Sequence, residues 1–126
     1  MFFGQLLNSN LVDNGFDYYS PWFARGGNLA EMVADIIQIS AGCSVEVTVE
    51  TKNSEQSDKA AATNTSWNSG AITTVTRQSF SAGATMSDTV NEGLLELVRF
   101  KVTVTTTSGN QEWVHMRMLN PSWQSN

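Results

Sequence analysis

The chain has 126 residues, of which 40% are hydrophobic and only 15% are charged, and its net charge at pH 7 is −5. The length is typical of one domain with its own core. The negative charge argues against nucleic acid and anionic membranes as partners, because both attract basic proteins, and a single cysteine excludes an intrachain disulfide.

The N-terminal segment is apolar but does not have the pattern of a signal peptide. It lacks a basic region and a long apolar run, and no stretch of the chain approaches the roughly 20 apolar residues of a membrane span. We therefore expect synthesis in the cytoplasm and no membrane insertion. Phe2, Phe3, Leu6 and Leu7 form an apolar arm, which we expect either to dock on the chain's own sheets or to add an edge strand to a neighbour.

Residues 28–39 fit two patterns. A helical stripe is one of them, formed by Leu29, Met32, Val33, Ile36 and Ile37. A strand with Val33, Ile37 and Ile39 on one face is the other. The density of β-branched residues favours a strand from about Met32 to Ser40.

The next segment, residues 44–52, alternates strictly. Val45, Val47 and Val49 are separated by polar residues, which predicts a half-buried strand. Ala41-Gly42 before it predicts a hairpin connection back to the preceding strand. Cys43 is expected to be a small buried residue.

A long polar loop is predicted over residues 53–70, with Trp67 inside it. Residues 53–58 offer oxygen ligands but lack the glycine and terminal glutamate of a calcium hand, so we predict no metal site. Residues 71–80 alternate again and predict a strand, and residues 81–93 form a second polar stretch.

The last two strands are the clearest. Over residues 94–107, one face carries Val98, Phe100, Val102 and Val104, and the other carries Arg99, Lys101, Thr103 and Thr105. Over residues 113–119, Val114, Met116 and Met118 share a face opposite Trp113, His115 and Arg117. Glu46 and Glu50 are predicted to face Arg99 and Lys101 across paired strands.

Several short strands separated by turn signals, with no clear helix, predict an all-β fold: a single antiparallel β-sandwich, jelly-roll-like. Residues 1–27 are predicted to form an N-terminal aromatic arm and the first strands, and residues 28–126 the sandwich body, in one domain overall. The predicted core consists of Val45, Val47, Val49, Phe100, Val102, Val104, Val114 and Met116.

Four segments in this order resemble a known family. They read DIIQISAG at 35–42, SVEVTVETKNSE at 44–55, LVRFKVTV at 97–104 and WVHMRM at 113–118. They are similar to the small β-sandwich virion proteins of bacteriophages, of the head-decoration, minor capsid and tail-accessory kind. The similarity covers residues 30–119, whereas the aromatic N-terminus and the 53–70 loop depart from the family pattern. It implies a virion location, self-association and contacts with other virion proteins, and it supplies no catalytic residue.

The chemistry-bearing residues do not indicate an enzyme. A serine or cysteine triad would need His115, the one histidine, and no nucleophile motif accompanies it. We therefore predict no catalytic residue, no metal and no cofactor.

The four tryptophans point instead to binding. Core packing is the expectation for Trp22, while Trp67 lies in a predicted loop, Trp113 on the polar side of its strand and Trp123 in the tail. The candidate interface consists of Phe2, Phe3, Leu6, Leu7, Trp67, Trp113 and Trp123. The alternative hypothesis is a carbohydrate-binding module, in which Trp67 or Trp113 stacks on a sugar of a glycan.

Overall fold

The structure is a computed structural model that describes residues 3–9, 16–39, 42–69, 76–83, 93–106 and 112–124. Within these ranges the strands are β1 (Phe3–Ser9), β2 (Phe16–Tyr19), β3 (Phe23–Ala24), β4 (Leu29–Ile39), β5 (Cys43–Lys52), β6 (Ala62–Asn68), β7 (Thr76–Gly83), β8 (Leu97–Thr106), β9 (Glu112–Met118) and β10 (Ser122–Gln124). A 3-10 turn at Asp58–Ala60 is the helical element of the described ranges. None of the described segments forms a helix with the length and hydrophobicity that a membrane crossing requires.

The strands form two antiparallel sheets. In sheet A the order is β1–β9–β4–β7, and β10 follows β9 along the same edge of β4. In sheet B the order is β2–β8–β5–β6, and β3 follows β2 along the same edge of β8. The all-β sandwich predicted from the sequence is therefore confirmed.

The strand order is that of a jelly roll. β2 and β3 count as one interrupted strand, and β10, which follows β9 along the same edge of β4, is not counted separately. Eight strands then remain. We renumber these eight strands 1 to 8 along the chain, so that β4 to β9 become strands 3 to 8. Sheet A then has the order 1-8-3-6 and sheet B the order 2-7-4-5. Between strands 1 and 5 the chain therefore crosses from sheet to sheet three times, and the full order closes two Greek keys around one core.

The core lies between the sheets, where alternate residues of each strand point inward. The largest fully buried side chains are Phe100, Met32, Ile36, Met116, Met118, Val45, Val47, Val49, Val98, Val102, Val104 and Val114. All of the predicted core residues are among them. The ring of Phe100 packs on that of Phe23 with centroids 5.5 Å apart, and burial of such a ring contributes about 3–5 kcal/mol when measured by truncation to alanine.

Residues 29–39 form a strand, as favoured, but its faces differ from the predicted ones. Met32 and Ile36 point into the core, and Val33 and Ile37 are half-buried on the outer face. The register shifts between Ile36 and Gln38, so a β-bulge returns Ile39 to the core. The bulge inserts one extra residue into the strand, so the inward-facing positions shift by one. A strict alternation pattern cannot predict this shift.

The predicted hairpin at Ala41-Gly42 is wrong. β4 belongs to sheet A and β5 to sheet B, so the connection crosses from one sheet to the other. The two strands do not pair, because the jelly roll places β7 and β9 beside β4, and β6 and β8 beside β5.

The predicted 53–70 loop is wrong over residues 62–68, which form β6 beside β5. Thr and Asn residues dominate this strand, so it lacks the apolar alternation that marks the others. Similarly, the predicted strand at 71–80 begins at Thr76 in the described part and continues to Gly83, into the predicted polar stretch. Ile72 and Val75 lie outside the described residues.

Candidate functional site

An interruption in the edge strand of sheet B positions the candidate site. β2 ends at Tyr19, which is paired with Lys101, and β3 begins at Phe23, which is paired with Val98. The three residues 20–22 therefore lie opposite the two residues between Val98 and Lys101. This arrangement is a β-bulge, which bends a strand and turns a side chain in a new direction.

The sequence Ser20-Pro21 explains why the ladder breaks here. Pro21 has no N–H to donate to β8. Ser20 compensates, since its N–H donates to the Phe100 carbonyl at 2.9 Å and its hydroxyl oxygen accepts from the Phe100 N–H at 2.9 Å. Ser20 is buried, and the chain is thereby fixed on both sides of the bulge.

Two aromatic rings lie over the charged side chains of the outer face of sheet B: that of Tyr19, at the end of β2, and that of Trp22, which the bulge turns outward. The guanidinium carbon of Arg99 lies 4.3 Å from the Tyr19 ring centroid and 4.4 Å from that of Trp22. The amine of Lys52 lies 4.9 Å from the Trp22 centroid. Both cations are within the range of cation–π attraction. We call Tyr19, Trp22, Glu50, Lys52, Asp58 and Arg99 the outer-face cluster.

Asp58, at the start of the 3-10 turn, closes the cluster. Its carboxylate accepts a hydrogen bond from Lys52 Nζ at 2.9 Å and from Trp22 Nε1 at 3.0 Å, and it lies 3.7 Å from Arg99 Nη1. The hydrogen bond from Lys52 is the main cause that holds the pKa of the Asp58 carboxyl below its usual value, with further contributions from the charge of Lys52, from Trp22 and from Arg99. The turn at 58–60 is therefore tied to the face of sheet B.

The predicted cross-strand ion pairs are confirmed in one case. Glu50 lies opposite Arg99, and Arg99 Nε donates to Glu50 Oε1 at 2.8 Å. Lys101 instead has Asp17 as its acidic neighbour, at 3.9 Å. Glu46 lies opposite Thr103 rather than a basic residue.

Trp22 does not lie in the core, contrary to the prediction. It is half-buried on the outer face, because the bulge turns it away from the sandwich interior. The predicted position of Trp67 in a loop is also wrong. Trp67 lies in β6 opposite Val47, and its side chain packs against the core.

Trp123 lies in β10 and not in a free tail. It packs against the core and against Gly26, where an added Cβ would lie only 2.7 Å from its Cδ1 atom. A Cβ on Gly27 would lie 2.5 Å from the carbonyl oxygen of Gln124. The two glycines thus allow the C-terminal strand to approach the chain between β3 and β4.

The remaining candidate interface residues lie in edge or adjacent strands. Phe3, Leu6 and Leu7 belong to β1, which pairs with β9 of the same chain, so this part of the arm docks on its own sheet. Trp113 lies in β9. The structure describes the backbone of these four residues but not their side chains, and Phe2 lies outside the described residues.

Catalytic and metal chemistry find no geometric support in the described part of the chain. His115 is half-buried in β9, opposite Leu6 of β1 and Gln38 of β4. No three His, Cys, Asp or Glu side chains of the described ranges lie close enough together to hold a metal ion. Asp58, the last residue of the oxygen-rich 53–58 segment, is engaged by Lys52 and Trp22.

Tyr19 is not among the candidate residues predicted from the sequence, yet it is the one large apolar side chain exposed among those described, at 48%. Two signals point to it. Tyr18 and Tyr19 must face opposite sides of an alternating strand, and the Ser-Pro dipeptide that follows predicts a break in that strand. Comparison with known protein families, with characterised proteins and with solved structures gives no match to this chain.

Proposed function

We propose that the chain is a non-enzymatic structural subunit of a virus particle, a decoration or minor capsid protein that self-associates and binds a capsid or tail lattice. The observation that carries the proposal is the strand order 1-8-3-6 and 2-7-4-5. Jelly rolls of this kind are a common architecture of viral capsid domains. The proposal is thus an analogy of fold, and the resemblance of residues 30–119 to bacteriophage virion proteins supports it.

The sheet edges supply the surfaces for assembly. β1 borders sheet A and β6 borders sheet B, and no described strand pairs with their outer sides. Exposed edge strands are templates for pairing with a neighbouring chain. Phe3, Leu6 and Leu7 lie on the first of these strands and Trp67 on the second, so four of the predicted interface residues belong to edges.

The native mass of the full chain tests the proposal. We expect a trimer or larger particle in sedimentation velocity at micromolar concentration. Leu6→Lys, on edge strand β1, is expected to reduce the particle to a monomer, because it places a charge at the proposed contact. Deleting residues 1–10 is less informative, since it removes β1 from sheet A and tests folding as well.

The matched control is Gln38→Lys, which adds the same charge at an exposed position of the internal strand β4. It should retain the wild-type mass. A monomeric wild-type chain contradicts the proposal, and a Leu6→Lys chain of wild-type mass and thermal stability contradicts the assignment of β1 as the contact.

A further inference from the structure

We propose that the outer face of sheet B binds a neutral oligosaccharide, with one sugar ring stacked on Tyr19. This site lies beyond the structural role proposed above and does not depend on it. Its elements are an exposed aromatic ring, two rows of polar side chains beside that ring and a local charge that disfavours acidic sugars.

Tyr19 provides the stacking surface. Arg99 covers one side of its ring at 4.3 Å, and the side chain is nevertheless 48% exposed. The guanidinium, fixed by Glu50 at 2.8 Å, holds the ring in place from beneath. An aromatic ring held this way presents a flat apolar face without a loss of side-chain freedom on binding, which favours affinity.

Polar side chains continue from Tyr19 across the sheet in two rows. Cross-strand register gives the first row as Tyr19, Lys101, Thr48 and Ser66 and the second as Asp17, Thr103, Glu46 and Asn68. Neighbouring strands are about 4.8 Å apart, so hydroxyl, amide, amine and carboxylate groups repeat at short intervals. This set can both donate to and accept from the hydroxyls of a sugar.

Part of the second row is already ordered. The Thr103 hydroxyl donates to Asp17 Oδ1 at 2.7 Å, and Lys101 lies 3.9 Å from Asp17 Oδ2. Asp17 is about two-fifths exposed, so its remaining acceptor positions can reach a ligand. A carboxylate held by neighbouring donors is a suitable acceptor for sugar hydroxyls.

The charge of the face selects among sugars. The outer-face cluster and the two rows carry the acids Asp17, Glu46, Glu50 and Asp58 against the bases Lys52, Lys101 and Arg99. Four acids and three bases leave a net charge of −1, on a chain of net charge −5. Sialylated or sulfated glycans are therefore repelled relative to neutral hexose chains.

The same composition argues against a protein partner at this face. Protein interfaces concentrate several aromatic or aliphatic anchors at a dry centre. Here one exposed ring lies beside hydroxyl-bearing and charged side chains, and Trp22 is already engaged with Lys52, Arg99 and Asp58.

A glycan array with the full chain tests the site. The probes are neutral gluco-, manno- and xylo-oligosaccharides of several residues, together with sialylated and sulfated glycans. We expect binding to one neutral class, and Tyr19→Ala should weaken it at least about tenfold, whereas Tyr19→Phe, which keeps the ring, should stay within about threefold.

Thr48→Val provides a second arm that keeps the strand intact, because valine has the same shape and favours strands. It should weaken binding about fivefold through the lost hydroxyl. Glu31→Ala, at an exposed position on sheet A, is the control and should bind as the wild type does. Absence of binding to every neutral probe overturns the proposal, as does wild-type affinity in both Tyr19→Ala and Thr48→Val. Preference for acidic glycans overturns the charge argument.

Discussion

The two sheets each hold an ion pair on their outer face, with the same geometry and different surroundings. Arg99 Nε lies 2.8 Å from Glu50 in sheet B, and Arg117 Nε lies 2.8 Å from Asp35 in sheet A. Each pair joins residues directly opposite in neighbouring strands. However, the Arg99 side chain is 12% exposed and that of Arg117 is 37% exposed, whereas both acidic side chains are buried to a similar extent, at 14% for Glu50 and 9% for Asp35.

The bulge in the edge strand of sheet B accounts for this difference. The bulge turns Trp22 outward, and the Trp22 ring and that of Tyr19, the residue just before the bulge, lie over Arg99 at 4.4 and 4.3 Å. Among the side chains that the structure describes, none places a ring over Arg117, whose side chain is 37% exposed. Equal distances therefore do not mean equal contributions to stability, because the solvent around a charge decides how strongly it interacts.

Substituting each arginine in turn should give the largest difference in stability between the two ion pairs. Arg99→Ala is expected to lower the free energy of unfolding by about 3 kcal/mol, because it leaves the Glu50 carboxylate, whose side chain is 14% exposed, without its cation. Arg117→Ala should cost less, about 2 kcal/mol, because the Arg117 side chain is already 37% exposed, although the buried Asp35 also loses its cation. Urea denaturation of both variants measures the difference, and equal losses would contradict the comparison.

Removing the aromatic cover should make the sheet B pair resemble the sheet A pair. Trp22→Ala is expected to lower the free energy of unfolding by about 2 kcal/mol, through lost ring burial and lost attraction to Arg99 and Lys52. Trp22→Phe, which keeps a ring but not the hydrogen bond to Asp58, should lose about half as much. A Trp22→Ala chain as stable as the wild type would show that the ring does not shield the pair.

Salt should also distinguish the pairs. Double-mutant cycles on Glu50 with Arg99 and on Asp35 with Arg117 give the two coupling energies. At about 1 M salt, where the Debye length is about 3 Å, the Asp35–Arg117 pair, whose arginine is 37% exposed, is expected to lose the larger share of its coupling. The shielded pair should keep more than about half. A parallel decline of both couplings would go against the role of the rings.

Acid should act on the sheet B cluster through Asp58. Its pKa in the folded chain lies below the unfolded value of about 4. Its contribution to stability is therefore present above about pH 4 and is lost as the pH falls through the folded-state pKa. Asp58→Asn should lower stability slightly at pH 7 and flatten the loss on acidification. An acid titration of the wild-type and Asp58→Asn chains monitored by circular dichroism measures the difference, and coincident curves would contradict the role of Asp58.

The sequence predicted the centre of the sandwich and missed its borders. β5, β8 and β9 have one apolar residue at every second position, so their inward faces follow directly from the pattern. β6 has only Ala62 and Trp67 as apolar residues, so it shows no apolar alternation and its pattern resembles that of a loop.

The candidate site was harder to predict for a different reason. Ser20-Pro21 signals a break, but the direction in which Trp22 points depends on the extra residue opposite β8. Alternation likewise does not show which sheet a strand joins, and for this reason the pattern at Ala41-Gly42 wrongly predicts a hairpin. Bulges and sheet crossings are set by contacts between residues far apart in sequence.

Hydrogen exchange at the two guanidinium groups tests the comparison most directly. In NMR spectra of the wild-type chain at pH 7, the Arg99 Nε–H is expected to exchange slowly and to shift upfield in the ring currents of Tyr19 and Trp22. The Arg117 Nε–H, which is also hydrogen-bonded but belongs to a more exposed side chain, should exchange faster. Equal exchange rates at the two sites, with no ring-current shift at Arg99, would contradict the account.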